Sequence, residues 1–121
     1  MVKALFDTNI LVDYLNGIEA ARIEIARYDE PAISIVTWME VLVGAPPEAE
    51  PATSAFLDSF ELVPIDQRVA ERAVDLRRRL RCKLPDAVIL ASAQIGARLL
   101  VTRDTRDFPR DDPGVRVPYV L

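Results

Sequence analysis

A chain of 121 residues, half of them hydrophobic, has the length and apolar content of about one compact domain, 1–121. The lone Cys82 excludes an internal disulfide, and the absence of histidine excludes Cys/His zinc sites together with Ser-His-Asp and Cys-His catalysis. A net charge of -4 argues against a general nucleic-acid coat, and no stretch approaches the roughly 20 apolar residues of a membrane span, so a cytoplasmic protein is expected.

Val2 to Phe6 is a short apolar run that predicts a buried strand, and Asp7-Thr8 starts a helix with Ile10, Leu11, Tyr14 and Leu15 at helical spacing. Glu19 to Tyr28 predicts a second amphipathic helix. Ala32 to Val36 follows Pro31 as a β-branched second strand, after which Thr37 opens a helix that Gly44 and Pro46-Pro47 stop. Glu48 to Phe60 is a weakly patterned helix, and Glu61 to Ile65 a third strand. Asp66 caps a longer helix whose Val69, Ala73, Leu76 and Leu80 share one face. Pro85 suits the first turn of the next helix, which Ala87, Val88, Leu90, Ala91 and Ala93 make apolar on most sides and hence buried. Arg98 to Thr102 predicts the fourth strand and Val115 to Val120 the fifth. Strands alternating with helices imply an α/β fold with a mostly parallel sheet of about five strands, covered on both faces.

Asp7, Glu40, Asp86 and Asp104 each stand at a junction of strand and helix. In an open α/β sheet the ligand crevice lies beyond the carboxyl ends of the strands, so these acids are expected to converge there. Four carboxylates repel one another unless cations compensate, and Mg²⁺ or Mn²⁺, with its preference for hard oxygen donors, is the natural compensation. Taken singly, each acid also has a plain structural role. Thr37 and Glu40 have the spacing of a capping box, Asp86 complements a helix dipole, Asp7 is a potential N-cap, and Asp104 with Asp107 can shape a polar turn. Thr8 and Asn9 are possible supporting ligands, and Asp107 a fifth acid at the rim. Trp38 is more suited to the core than to base stacking. Asp13, Asp58, Asp75 and Glu71 have the pattern of ordinary exposed helix residues. Among the cations, Arg77, Arg78, Arg79 and Arg81 fit either an RNA track or a solvated helix face. Lys83, Arg103, Arg106 and Arg110 lie near the third and fourth acids, where Lys83, Arg103 and Arg106 are candidates for contacting RNA.

At four segments the sequence resembles the PIN-domain ribonucleases, in particular the VapC-type toxins of toxin–antitoxin pairs. Asp7-Thr8-Asn9-Ile10 is similar to the opening motif, Glu40 to the second acid, Pro85-Asp86-Ala87-Val88-Ile89-Leu90-Ala91 to the third, and Thr102-Arg103-Asp104-Thr105-Arg106-Asp107-Phe108 to the last. The resemblance implies a three-layer α/β/α sandwich, Mg²⁺ or Mn²⁺ held by Asp7, Glu40, Asp86 and Asp104 as catalytic residues, endoribonuclease activity, inhibition by a cognate VapB-like antitoxin, and a homodimer. Many members carry Asn where this chain has Asp104, which leaves the division between Asp104 and Asp107 open, and the proline-rich Ala45–Pro51 segment has no counterpart to draw on. Two other classes fit parts of the pattern. One is a non-catalytic module whose acidic crevice holds a basic partner segment. The other is a receiver-like phosphoryl-transfer domain, for which Val63-Pro64-Ile65-Asp66 is a poor phosphate acceptor.

Overall fold

The computed structural model of the chain describes residues 2–109 and 111–121, so Arg110 lies outside the described residues. Five short strands, β1 (Ala4–Phe6), β2 (Ala32–Ser34), β3 (Glu61–Val63), β4 (Leu99–Val101) and β5 (Val115–Arg116), form one sheet in the order β3-β2-β1-β4-β5, every neighbouring pair parallel. Six α-helices connect them: α1 (Thr8–Leu15), α2 (Glu19–Ala26), α3 (Ile35–Gly44), α4 (Glu50–Leu57), α5 (Gln67–Leu80) and α6 (Leu84–Ile95).

Side chains alternate across a strand, and this alternation divides the core in two. Leu5 and Leu100 enter a cluster with Val69, Ala73 and Leu76 of α5 and Val88 and Leu90 of α6. Ala4, Phe6 and Val101 enter another with Ile10 and Leu11 of α1, Val41 of α3 and Leu57 of α4. The sheet is therefore sandwiched between two helical layers, the expected three-layer architecture.

The elements are shorter than the apolar runs suggest, and capping chemistry explains where each stops. The second strand ends at Ser34, not Val36, because the Ser34 side chain accepts a hydrogen bond from Val36 N at 3.1 Å and turns the chain into α3. Thr37 is thus a buried residue inside α3 and not its N-cap, which removes the capping-box role foreseen for Glu40. β3 stops at Val63, before Pro64, which has no N–H to give to a ladder. Glu48 to Phe60 resolves into a 3-10 turn, Pro47–Ala49, followed by α4. β5 pairs over two residues only, and the chain from Val117 onward, with Pro118, leaves the ladder. Leu80 lies in the last turn of α5 and is 41% exposed, so the buried face of that helix ends at Leu76.

β1 stands between β2 and β4, so successive connections leave it in opposite directions. This is the switch point at which an open parallel sheet has its crevice.

Candidate metal centre

Phe6 is in register with Val101, so Asp7 and Thr102 emerge side by side from the carboxyl ends of β1 and β4, tied by a bond from Asp7 N to the Val101 carbonyl at 2.9 Å. Asp7 is 5% exposed. Its Oδ1 accepts from Thr8 N at 2.8 Å, which caps α1, and its Oδ2 accepts from Thr102 Oγ1 at 2.7 Å and Asn9 Nδ2 at 3.2 Å. Burial pushes the Asp7 carboxyl up to about 6, against the opposing pull of the Thr102 and Thr8 bonds, and the charges of Asp104 and Glu40 add to the rise.

Asp86 stands in the first turn of α6, directly after Pro85, and is half-buried. Its carboxyl is also pushed up to about 6, first by desolvation, then by the charges of Asp7, Asp107 and Asp104, with the closeness of the Asp107 carboxyl adding to the rise. Asp104 sits in the loop after β4. Its N donates to Thr102 Oγ1 at 2.9 Å, and its Oδ1 accepts from Arg106 N at 2.8 Å and Asp107 N at 3.1 Å. The turn-shaping role and the site role of Asp104 are therefore compatible, since one carboxylate oxygen serves the loop.

Asp86, Asp104 and Asp107 each bring one carboxylate oxygen within 4.8 Å of the other two. Among the described residues this is the tightest acidic group, and it includes Asp107, which was expected only at the rim. Asp7 lies outside that spacing but near enough for its charge to act on Asp86. Glu40 is exposed on α3 and joins the site through Thr8, whose Oγ1 donates to Glu40 Oε1 at 2.7 Å. The Thr8 and Thr37 hydroxyls are 3.0 Å apart. Because the single Thr8 hydroxyl proton is engaged by Glu40, Thr37 is the donor to Thr8, giving a chain Thr37 to Thr8 to Glu40.

Carboxylate oxygens are the hard donors that Mg²⁺ and Mn²⁺ prefer, and three of them gathered within 4.8 Å of one another would hold such an ion between them. Among the described residues no Lys or Arg forms an ion pair with Asp7, Asp86, Asp104 or Asp107, so none of those residues supplies the charge compensation such a group needs. An open cleft of about 400 Å³, bordered by Asn9, Lys83, Arg103, Thr105 and Arg106, leads to Asp104 and Asp107.

Three residues escaped the sequence-based reading. Thr102, fully buried, ties Asp7 to the Asp104 loop. Thr37 is the buried hydroxyl behind Thr8. Asp13, expected on the surface, is 4% exposed and accepts two bonds from the Arg103 guanidinium and one from Tyr119 Oη. Arg103 is consequently engaged in an ion pair within the chain, whereas Lys83 and Arg106 border the cleft with no such pair among the described residues. Trp38 packs against the α1–α4 core, as its neighbours suggest.

The PIN-domain family profile matches residues 4–112. Ribonuclease VapC10 of Mycobacterium tuberculosis is 34% identical over 113 residues, covering 87% of this chain and 85% of its own. A chain of a toxin-antitoxin complex from Klebsiella pneumoniae is 46% identical with a TM-score of 0.92, covering 98% of this chain and 99% of that one. A chain of DNA-bound VapBC from Salmonella typhimurium is 26% identical with a TM-score of 0.79, covering 96% of each.

Proposed function

The chain belongs to the PIN-domain family, and on that premise we propose that it is a divalent-metal-dependent endoribonuclease, the toxin of a toxin–antitoxin pair. The observation that carries this reading is the cluster of Asp86, Asp104 and Asp107 with oxygens mutually within 4.8 Å, backed by the buried Asp7 and, among the described residues, without a Lys or Arg ion pair. Asp86, Asp104 and Asp107 hold Mg²⁺ or Mn²⁺, with Asp7 and Glu40 completing the acidic wall. The ion, when bound, neutralises the acids, polarises the phosphodiester and lowers the pKa of a water toward neutrality.

The remaining work falls to the chain. Thr102 and Asn9 orient Asp7, and Thr8 orients Glu40 with Thr37 behind it. Lys83 and Arg106 at the cleft border contact RNA phosphates on either side of the scissile bond. With no histidine in the chain, the base is either a carboxylate of the site or the metal-bound hydroxide itself.

The relatives found in toxin–antitoxin complexes make an antitoxin the proposed protein partner. An apolar groove of about 480 Å³ between α1, α3 and α4, lined by Val12, Leu15, Val41, Ala45 and Pro46, opens beside Glu40. An antitoxin segment lying there is placed to extend an Arg or Lys to the acids, where a guanidinium can bond a carboxylate through two parallel hydrogen bonds. The proline-rich Ala45–Pro51 segment forms one wall of this groove.

Incubation of the purified protein with a mixed RNA pool, with Mg²⁺ or with chelator, followed by sequencing of new ends, tests the reading. Defined ends that appear only with metal are expected. An RNA pool left intact under every divalent metal tried, by protein that folds, would reject ribonuclease activity.

A further inference from the structure

We propose that Asp13 and Tyr119 are positioning residues of the acidic centre: acting through Arg103, they fix the loop that carries Asp104 and Asp107, and so set its affinity for a divalent cation. The inference rests on the metal-centre reading above and adds to it two residues that touch neither metal nor substrate.

Arg103 lies between Thr102, which bonds Asp7, and Asp104, which belongs to the acidic cluster. The loop from Thr102 to Phe108 is neither helix nor strand, so side-chain contacts must hold its shape. Arg103 is gripped twice by one helix. Its N donates to Asn9 Oδ1 at 3.2 Å, while Nε donates to Asp13 Oδ2 and Nη2 to Asp13 Oδ1 at 2.9 Å. Asn9 and Asp13 are four residues apart, hence on one face of α1, and together they hold residue 103 by main chain and side chain. Tyr119 Oη, from the segment after β5, donates at 2.8 Å to Asp13 Oδ2, the oxygen that also accepts from Arg103 Nε, and so holds the carboxylate from a second element.

Asp13 is placed where an acid is costly. Burial works against its charge, yet the bonds from Arg103 and Tyr119 outweigh that and hold the carboxyl below its usual range. A buried ion pair gives little net stability over apolar side chains of the same shape, but its forked geometry imposes orientation. Orientation is what an acidic loop with no regular structure needs. Groups hydrogen-bonded directly to metal ligands typically contribute about 10–100-fold in metal affinity, and Asp13, which acts through the residue beside Asp104, is expected at the low end of that range.

The test is Mn²⁺ titration by calorimetry of wild-type protein, Asp13→Asn, Tyr119→Phe, Arg103→Met and the Asp13→Asn/Arg103→Met double variant. Asp66→Ala, which removes the side-chain bond to Val69 N that caps α5, serves as a control for general destabilisation. Asp13→Asn is expected to bind Mn²⁺ at least ~10-fold more weakly, and Tyr119→Phe several-fold more weakly in the same direction. The double variant should be no worse than its worse parent, because both residues act through one contact. Asp66→Ala should melt lower yet bind as wild type does. Tyr119→Phe is decisive, since it changes no charge and removes one hydroxyl, so neither long-range electrostatics nor a failure to fold can account for its effect. Wild-type affinity in Tyr119→Phe and in folded Asp13→Asn, or losses that simply add in the double variant, would overturn the clamp alone. Absence of Mn²⁺ binding by the wild type would overturn the metal centre and the clamp with it.

Discussion

Replacing Asp7 by Asn should make the metal-free protein more stable near neutral pH while abolishing its activity. The Asp7 carboxyl rises from 3.8 to about 6 on folding, chiefly because it is buried. At about 1.36 kcal/mol per pKa unit, ionised Asp7 costs the metal-free fold about 3 kcal/mol. The sign follows from the direction of the shift: a raised carboxyl stabilises the fold fully below its unfolded value, and that contribution is lost as pH rises through about 6. An Asn side chain never carries the charge. It does put an N–H₂ group where Oδ2 now accepts from Thr102 and Asn9, at a cost of about 1–2 kcal/mol. The net gain at about pH 7.5 is therefore roughly 1–2 kcal/mol, or about 3–10 °C in melting temperature for a domain of this size. At about pH 4.5 the gain should vanish and reverse, because there the wild-type carboxyl is protonated too. Thermal melts in chelator at both pH values, beside RNA cleavage in Mn²⁺, test this. A variant destabilised equally at both pH values would refute the argument, because it would mean that the charge of Asp7 carries no burial cost.

Mn²⁺ affinity should fall steeply as pH drops below about 6, where Asp7 and Asp86 both take up protons; calorimetry in buffers of different ionisation enthalpy should detect proton release on binding near pH 6 and little at higher pH. Ser34→Ala should destabilise by about 1 kcal/mol through loss of the α3 cap, whereas Glu40→Gln and Glu40→Ala should each change stability by less than about 0.5 kcal/mol and lose most cleavage; a loss of about 1 kcal/mol in Glu40→Ala that Glu40→Gln does not show would restore the capping box. Thr8→Val should lower cleavage by at least ~10-fold by releasing Glu40, with Thr8→Ser restoring most of it, and equal rates in Thr8→Val and wild type would remove Thr8 from the site.

The parts of the site that were legible in the sequence are those set by topology. Asp7 ends a strand, Asp86 starts a helix and Asp104 follows a strand, and in a parallel sheet these positions share one end. Glu40 was expected near the crevice, where the structure joins it to Thr8, but was also given a rival role as a cap, because Ser34 and Thr37 are both competent caps three residues apart. The choice between them depends on where β2 stops pairing with β3, at Ser34 opposite Val63, which local sequence does not encode. Asp13 was illegible for a similar reason. Its partners lie 90 and 106 residues away, so nothing in its own helix marks it as buried. The prominence of Asp107 over Asp7 in the tight cluster depends on a loop folded by its own turn bonds, for which the apolar pattern carries no signal. The strand ends were overextended wherever apolar residues continue past the ladder, as after Arg116.

The central claim, that Asp86, Asp104 and Asp107 hold the ion that RNA cleavage requires, is tested most directly by anomalous diffraction from crystals of cleavage-competent protein grown with Mn²⁺. A Mn²⁺ peak is expected within roughly 2.0–2.4 Å of carboxylate oxygens from these residues, and Asp86→Asn should lose both the peak and the cleavage. A peak elsewhere with none among these acids, or full cleavage by Asp86→Asn, would contradict it.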